Sequence, residues 1–181
     1  KQVVIVEGGP GTGKSVVAIN LLVALTGRRL VTKYVTKNAA PRAVFEQTLA
    51  GSLRKSQISN LFSGSGAFTE TQANVFDALV VDEAQDHDTS FPAALGRPEL
   101  PGWWHFYLRL LTKDAPVAAF HDPAQRPAGR RPDGCSTERL RETLAGCTLV
   151  TLPGVHRYTR PVFDYLRALH PTAARPLVDQ L

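Results

Sequence analysis

The sequence contains no methionine and only two cysteines, Cys135 and Cys147. Two thiols are too few for a disulfide framework, and their spacing does not match a metal site. A reduced, cytoplasmic setting is therefore expected. No apolar run approaches the length that spans a bilayer, so no membrane association is expected either. The N-terminus lacks the basic-then-apolar pattern of a secretory signal. No internal repeat, low-complexity tract or linker divides the chain. The missing methionine and a start at Lys1, directly in an apolar strand, suggest an excerpt of a longer protein.

What is present is an ordinary globular composition. The 181 residues are 43% hydrophobic and 20% charged, with a mean hydropathy of −0.12. That suffices for one domain, residues 1–181, with a buried core. The net charge of +5 permits a phosphate-rich partner without requiring one. Five short runs rich in β-branched residues read as buried strands: Val3–Val6, Leu30–Val35, Ala78–Val81, Val117–Phe120 and Thr148–Leu152. Helical segments fall between and after them, at Ser15–Thr26, Pro41–Ala50, Leu100–Thr112, Glu138–Ala145 and Pro161–Leu169. Gly27 and Gly51 suit left-handed helix ends, and Asn38, Ser136 and Thr159 suit N-caps. Ser63–Gly66 and Pro123–Gly134 read as surface loops. Alternating strands and helices give an α/β fold, and near-continuous apolar strands give a parallel sheet with helices on both faces.

Residues Gly8–Ser15 read GGPGTGKS and fit the pattern G-x-x-x-x-G-K-[ST]. They follow the first strand and open the first helix, where the chemistry needs them. Gly8, Gly9, Gly11 and Gly13, with Pro10 and Thr12, let the backbone curl so that several N–H groups converge on a phosphate. The helix N-terminus adds partial positive charge. Lys14 would neutralise the β and γ phosphates of a nucleotide, and the Ser15 hydroxyl would ligate Mg²⁺. A Gly-rich turn without a ligand is the plainer alternative.

A second acidic element, DALVVDEAQDHD, spans Asp77–Asp88. Asp82 falls where the third strand emerges at its carboxyl end, the edge at which open α/β sheets bind ligands. There it can hold Mg²⁺ through water. Glu83, the next residue, can polarise an attacking water as general base. An acidic helix start is the alternative reading for this stretch alone. Together with the phosphate loop it points to nucleotide hydrolysis on a P-loop NTPase fold.

GGPGTGKS followed by VVDEAQD resembles motifs I and II of superfamily-1 helicases. More specifically, VIVEGGPGTGKSVVAINLL, YVTKNAAPRAVFEQTL, NLFSGSGAF and FDALVVDEAQ resemble the Schlafen group-3-like DNA/RNA helicase domain of bacterial proteins. The resemblance runs from Val3 to about Leu169. It implies a RecA-like sheet, ATP and Mg²⁺ as cofactors, and single-stranded DNA or RNA as partner. YVTKNAA then takes the place of motif Ia, with Thr36, Lys37 and Asn38 suited to phosphate and sugar contacts. A polar loop capping the next helix is the alternative there.

Phe120–Gln125, FHDPAQ, resembles motif III, with Asp122 and Gln125 matching and Gln125 implied as γ-phosphate sensor. His121 stands where the family has an aliphatic residue, and it is given no catalytic role. Leu152–Arg157, LPGVHR, lies where the family has Leu-x-x-Gln-Phe-Arg. Leu152 and Arg157 match while Val155 and His156 depart, and Arg157 is implied to reach the γ-phosphate. Gln85 is the form found in superfamily-1 DNA helicases, where it helps sense nucleotide and strand.

The aromatic residues Trp103, Trp104, Phe106 and Tyr107 suit a core more than a base-stacking surface. Arg126, Arg130 and Arg131 form a basic loop open to solvent or to phosphate. Motifs V and VI, and the second RecA-like lobe that carries them, do not occur in the sequence. The chain therefore reads as a first lobe whose activity in isolation would be weak. Four functions fit these residues: a helicase or translocase lobe, a regulatory P-loop ATPase switch, a small-molecule phosphotransferase, and a non-catalytic nucleotide-dependent module.

Overall fold

The structure, a computed structural model, describes residues 2–36, 58, 61–63, 72–87, 102–125 and 136–154. Among these, six strands form one sheet: β1 (Val3–Glu7), β2 (Thr32–Val35), β3 (Phe62–Ser63), β4 (Ala78–Val81), β5 (Val117–His121) and β6 (Thr148–Thr151). Their order is β3-β2-β4-β5-β1-β6, and every pairing is parallel. Helices α1 (Lys14–Gly27), α2 (Trp103–Leu110) and α3 (Thr137–Thr143) connect them, and a short 3₁₀ turn at Ala84–Asp86 follows β4. The expected α/β class, a parallel sheet with helices on both faces, is the class observed.

The central strands are apolar up to their carboxyl ends because both faces are covered. All residues of β4 and β5 are buried. Successive side chains point to opposite faces, and the two cores follow that parity. Val3, Ile5, Leu79, Val81, Val117 and Ala119 join α2 and α3 on one face. Val6, Tyr34, Val80, Ala118 and Phe120 join Ala18 and Leu22 of α1 on the other. Parity then sets what stands at the carboxyl edge. Asp82 and Asp122 continue the α1-facing series, whereas Glu7 and His121 continue the opposite one.

Several boundaries differ from the sequence reading. Strand β3 was not expected, since a two-residue strand beside a Gly/Ser stretch carries no periodicity. Helix α1 includes Gly27, and the left-handed residue that ends it is Arg29, with φ 63°. Strand β2 begins at Thr32 rather than Leu30. Helix α2 is shorter than Leu100–Thr112, because Leu111 leaves it to bridge Phe76. Ser136 caps α3 as expected, accepting from the Arg139 N–H at 3.3 Å. Trp103, Trp104, Phe106 and Tyr107 are all buried, so α2 supplies core and not a stacking platform. The helices expected at Pro41–Ala50 and Pro161–Leu169, and the caps Asn38, Gly51 and Thr159, lie outside the described residues. No helix among the described residues is long and apolar enough to cross a membrane.

Candidate functional site: a phosphate loop facing paired carboxylates

The loop between β1 and α1 is shaped by its glycines. Gly13 is the N-cap of α1 with φ 89°, a left-handed conformation that side-chain-bearing residues rarely adopt. A Cβ on Gly8 would run into the Thr12 side chain, whose hydroxyl bonds the Gly9 carbonyl at 2.9 Å. No side chain caps α1, and no acidic residue stands in its first turn. The orphan N–H groups of that turn, with the positive end of the helix dipole, are therefore available to an anion. Lys14 is buried and folded back on the loop. Its ammonium donates to the carbonyls of Gly8 at 2.8 Å and Gly9 at 3.0 Å, and pairs with the buried Asp122 carboxylate at 3.3 Å.

Asp82 receives donors from three elements. The Ser15 hydroxyl donates to Oδ2 at 3.0 Å, and the Tyr34 hydroxyl donates to the same oxygen at 2.5 Å. The Glu83 N–H donates to Oδ1 at 3.0 Å. Burial, and then the Asp82 charge, push the Tyr34 hydroxyl well above its ordinary value, so it stays a donor. Ser15 and Asp82 together offer a hydroxyl and a carboxylate, a hard-oxygen pair suited to Mg²⁺. Among the described residues no group of three or more His, Cys, Asp or Glu could hold a metal alone.

Glu83 turns away from the strand with φ 53°, a left-handed conformation that begins the 3₁₀ turn. Burial first, and then the neighbouring Asp82 charge, raise its carboxyl above the ordinary value, while the Gln85 hydrogen bond and Lys14 oppose the shift. The Gln85 amide donates to the Glu83 carboxylate and also to Gln125 Oε1 at 3.3 Å. Its carbonyl accepts the Asp122 N–H at 3.1 Å. One amide thus joins Glu83, Gln125 and the residue that pairs with Lys14. A cavity of about 330 Å³ opens onto this group, lined by Pro10, Gly11, Gly13, Lys14, Ser15, Val16, Glu83 and Gln125.

Phosphate loop, Asp82, Glu83 and Gln125 are therefore gathered at one sheet edge. Thr36 is buried just past β2. Lys37, Asn38 and Arg157, and the loop arginines Arg126, Arg130 and Arg131, lie outside the described residues. His121 sits on the far side of the sheet, buried, with no hydrogen-bond partner for either ring nitrogen. Burial lowers its pKa, which keeps it neutral. Two contacts escaped the sequence reading. Asp122 proves to be the buried counter-ion of Lys14, and Tyr34 looked like one more apolar strand residue.

A family model described as Schlafen group 3, DNA/RNA helicase domain, matches residues 1–95. The chain belongs to this family. The match takes in the phosphate loop, Thr36, Asp82 and Glu83, whereas Asp122 and Gln125 lie beyond it and rest on geometry. No curated protein matches the chain in sequence. Among solved structures, the Pyrococcus furiosus Hef helicase domain aligns with a TM-score of 0.54 at 10% identity, covering 98% of this chain and 44% of that one. The flagellar accessory protein FlaH from Methanocaldococcus jannaschii aligns with a TM-score of 0.51 at 16% identity, covering 83% of this chain and 70% of that one. At such identities the likeness shows the fold, a RecA-like P-loop architecture. This member of the Schlafen group 3 helicase family thus presents a helicase-like lobe with a nucleotide-binding loop, and spans less than half of the Hef chain.

Proposed function

We propose that the chain is the first RecA-like lobe of a superfamily-1-type DNA or RNA helicase or translocase, and that it hydrolyses ATP at the loop Gly8–Ser15. The observation that carries this reading is the convergence of Lys14, Ser15, Asp82, Glu83 and Gln125 on one cavity. In this reading the triphosphate lies on the N–H groups of Gly11, Gly13 and the first turn of α1, Pro10 contributing shape but no donor, while the Gly8 and Thr12 N–H groups stay bonded to the His121 and Gly9 carbonyls. Lys14 exchanges its loop carbonyls for phosphate oxygens. Ser15 and Asp82 would hold Mg²⁺, which when bound would supply positive charge against the phosphates. Glu83 accepts a proton from the attacking water. Gln125 reports the γ-phosphate to Gln85, and Arg157 stabilises the charge that develops on transfer.

Lys37 and Asn38 contact the backbone of a single strand, a role the burial of Thr36 denies to that residue, and a second lobe of the whole protein closes over the nucleotide. A cytoplasmic setting suits such a partner and such a cofactor. The isolated chain, without that lobe, hydrolyses ATP weakly. In the full-length protein, single-stranded DNA or RNA should raise the hydrolysis rate at least about tenfold, about 1.4 kcal/mol of barrier. Turnover indifferent to both nucleic acids would favour the regulatory ATPase switch, and turnover dependent on a small acceptor would favour a phosphotransferase.

A further inference from the structure

Tyr34 is a residue whose ring and hydroxyl do different work. Its ring is fully buried on the α1 face, edge-on to Phe62 with centroids 5.3 Å apart, in one core with Leu22 and Val80. A phenylalanine would pack there equally well. A buried hydroxyl is costly unless bonded, and this one reaches Asp82 Oδ2 at 2.5 Å. Register makes the reach possible. Tyr34 pairs with Val80 across β2 and β4, and Asp82 follows on the same face one pleat further along. The Asp82 N–H donating to the Val35 carbonyl at 2.9 Å fixes that separation.

The acceptor positions of Asp82 are divided accordingly. A carboxylate has about four lone-pair positions over its two oxygens. Oδ2 takes the Ser15 and Tyr34 hydroxyls, while Oδ1 takes the Glu83 N–H. The remaining capacity is on Oδ1. Tyr34 and Ser15 thereby hold one oxygen turned inward and leave the other for a water or a cation.

We infer that Tyr34 is a positioning residue for divalent-metal binding, fixing the Asp82 carboxylate from beneath so that Asp82 and Ser15 face a cation bound with the nucleotide phosphates. The inference rests on the proposed phosphate site and adds a residue to it. Groups that hold a metal ligand in this way commonly change metal affinity by about 10- to 100-fold when removed.

The test is Tyr34→Phe in the full-length protein. Mn²⁺ binding to the protein–ATP complex would be read by electron paramagnetic resonance, beside affinity for a fluorescent ATP analogue in EDTA. Tyr34→Phe should weaken Mn²⁺ binding about tenfold and leave metal-free nucleotide affinity within about twofold. In an Asp82→Asn background the same change should have no further effect, which separates positioning from packing. Unchanged Mn²⁺ affinity, equal losses with and without metal, or an undiminished effect in that background would each overturn the inference. Wild-type protein whose nucleotide complex binds no Mn²⁺ would overturn the phosphate-site reading itself, and this inference with it.

Discussion

Glu83 stands between two opposing influences. Removal from water and the Asp82 charge favour its protonated form, while the Gln85 amide and Lys14 favour the carboxylate. The first pair prevails, so its carboxyl titrates above the ordinary value of 4.5. In the proposed reaction the deprotonated form takes the proton from water, so acidification should slow hydrolysis. The loss should set in at a higher pH than an ordinary glutamate would give. A kcat/KM–pH profile of the full-length protein, which reports the free enzyme, would show this acid limb, and a limb centred at 4.5 or lower would contradict it. Stability carries the opposite sign. A raised folded-state pKa contributes stability below the unfolded value and loses it as pH rises through the folded one. Glu83→Gln, which cannot ionise, should therefore melt higher than wild type at neutral pH.

Helix α1 links the phosphate loop to the sheet, and its first turn is only as well placed as its buried face. Ala18 and Leu22 are fully buried against β-strand residues, whereas Val16, Val17 and Val23 are exposed. Leu22→Ala should cost about 2–5 kcal/mol, seen as a lower urea midpoint at unchanged slope. Val23→Ala should cost far less, and equal losses would mean that α1 is not anchored through its sheet-facing side. The central strands were legible because unbroken apolar runs between turn residues have one economical explanation, a strand covered on both faces. The short β3 was not, since its two residues are paired through β2 and not through any pattern of their own. The end of α1 misled for a related reason. Gly27 is permissive, but Arg29 takes the left-handed turn, because the Arg28 and Arg29 N–H groups close the last turn on Leu25 and Thr26.

At the scale of the whole molecule, the sheet order separates β1 from β4 by β5, so the phosphate loop and Asp82 leave from non-adjacent strands. That interval brings Asp122 to Lys14 and Gln125 to Gln85 from the strand between them. The phosphate loop and the Asp82–Glu83 pair could be read from spacing alone, since each is a contiguous motif placed at a strand end. The Lys14–Asp122 pair and the Tyr34–Asp82 bond could not, because they depend on register and on which face a pleat presents. Both fall on the α1 face by the alternation already set in the apolar cores. In the proposed function, these strand ends converge to hydrolyse ATP.

The most direct measurement is single-turnover ATP hydrolysis by the full-length protein, with ATP affinity measured alongside, for wild type, Lys14→Ala and Glu83→Gln. The account predicts that Glu83→Gln keeps near wild-type ATP affinity and loses about 100- to 10,000-fold in rate, while Lys14→Ala loses affinity as well. Hydrolysis by Glu83→Gln at the wild-type rate would contradict it.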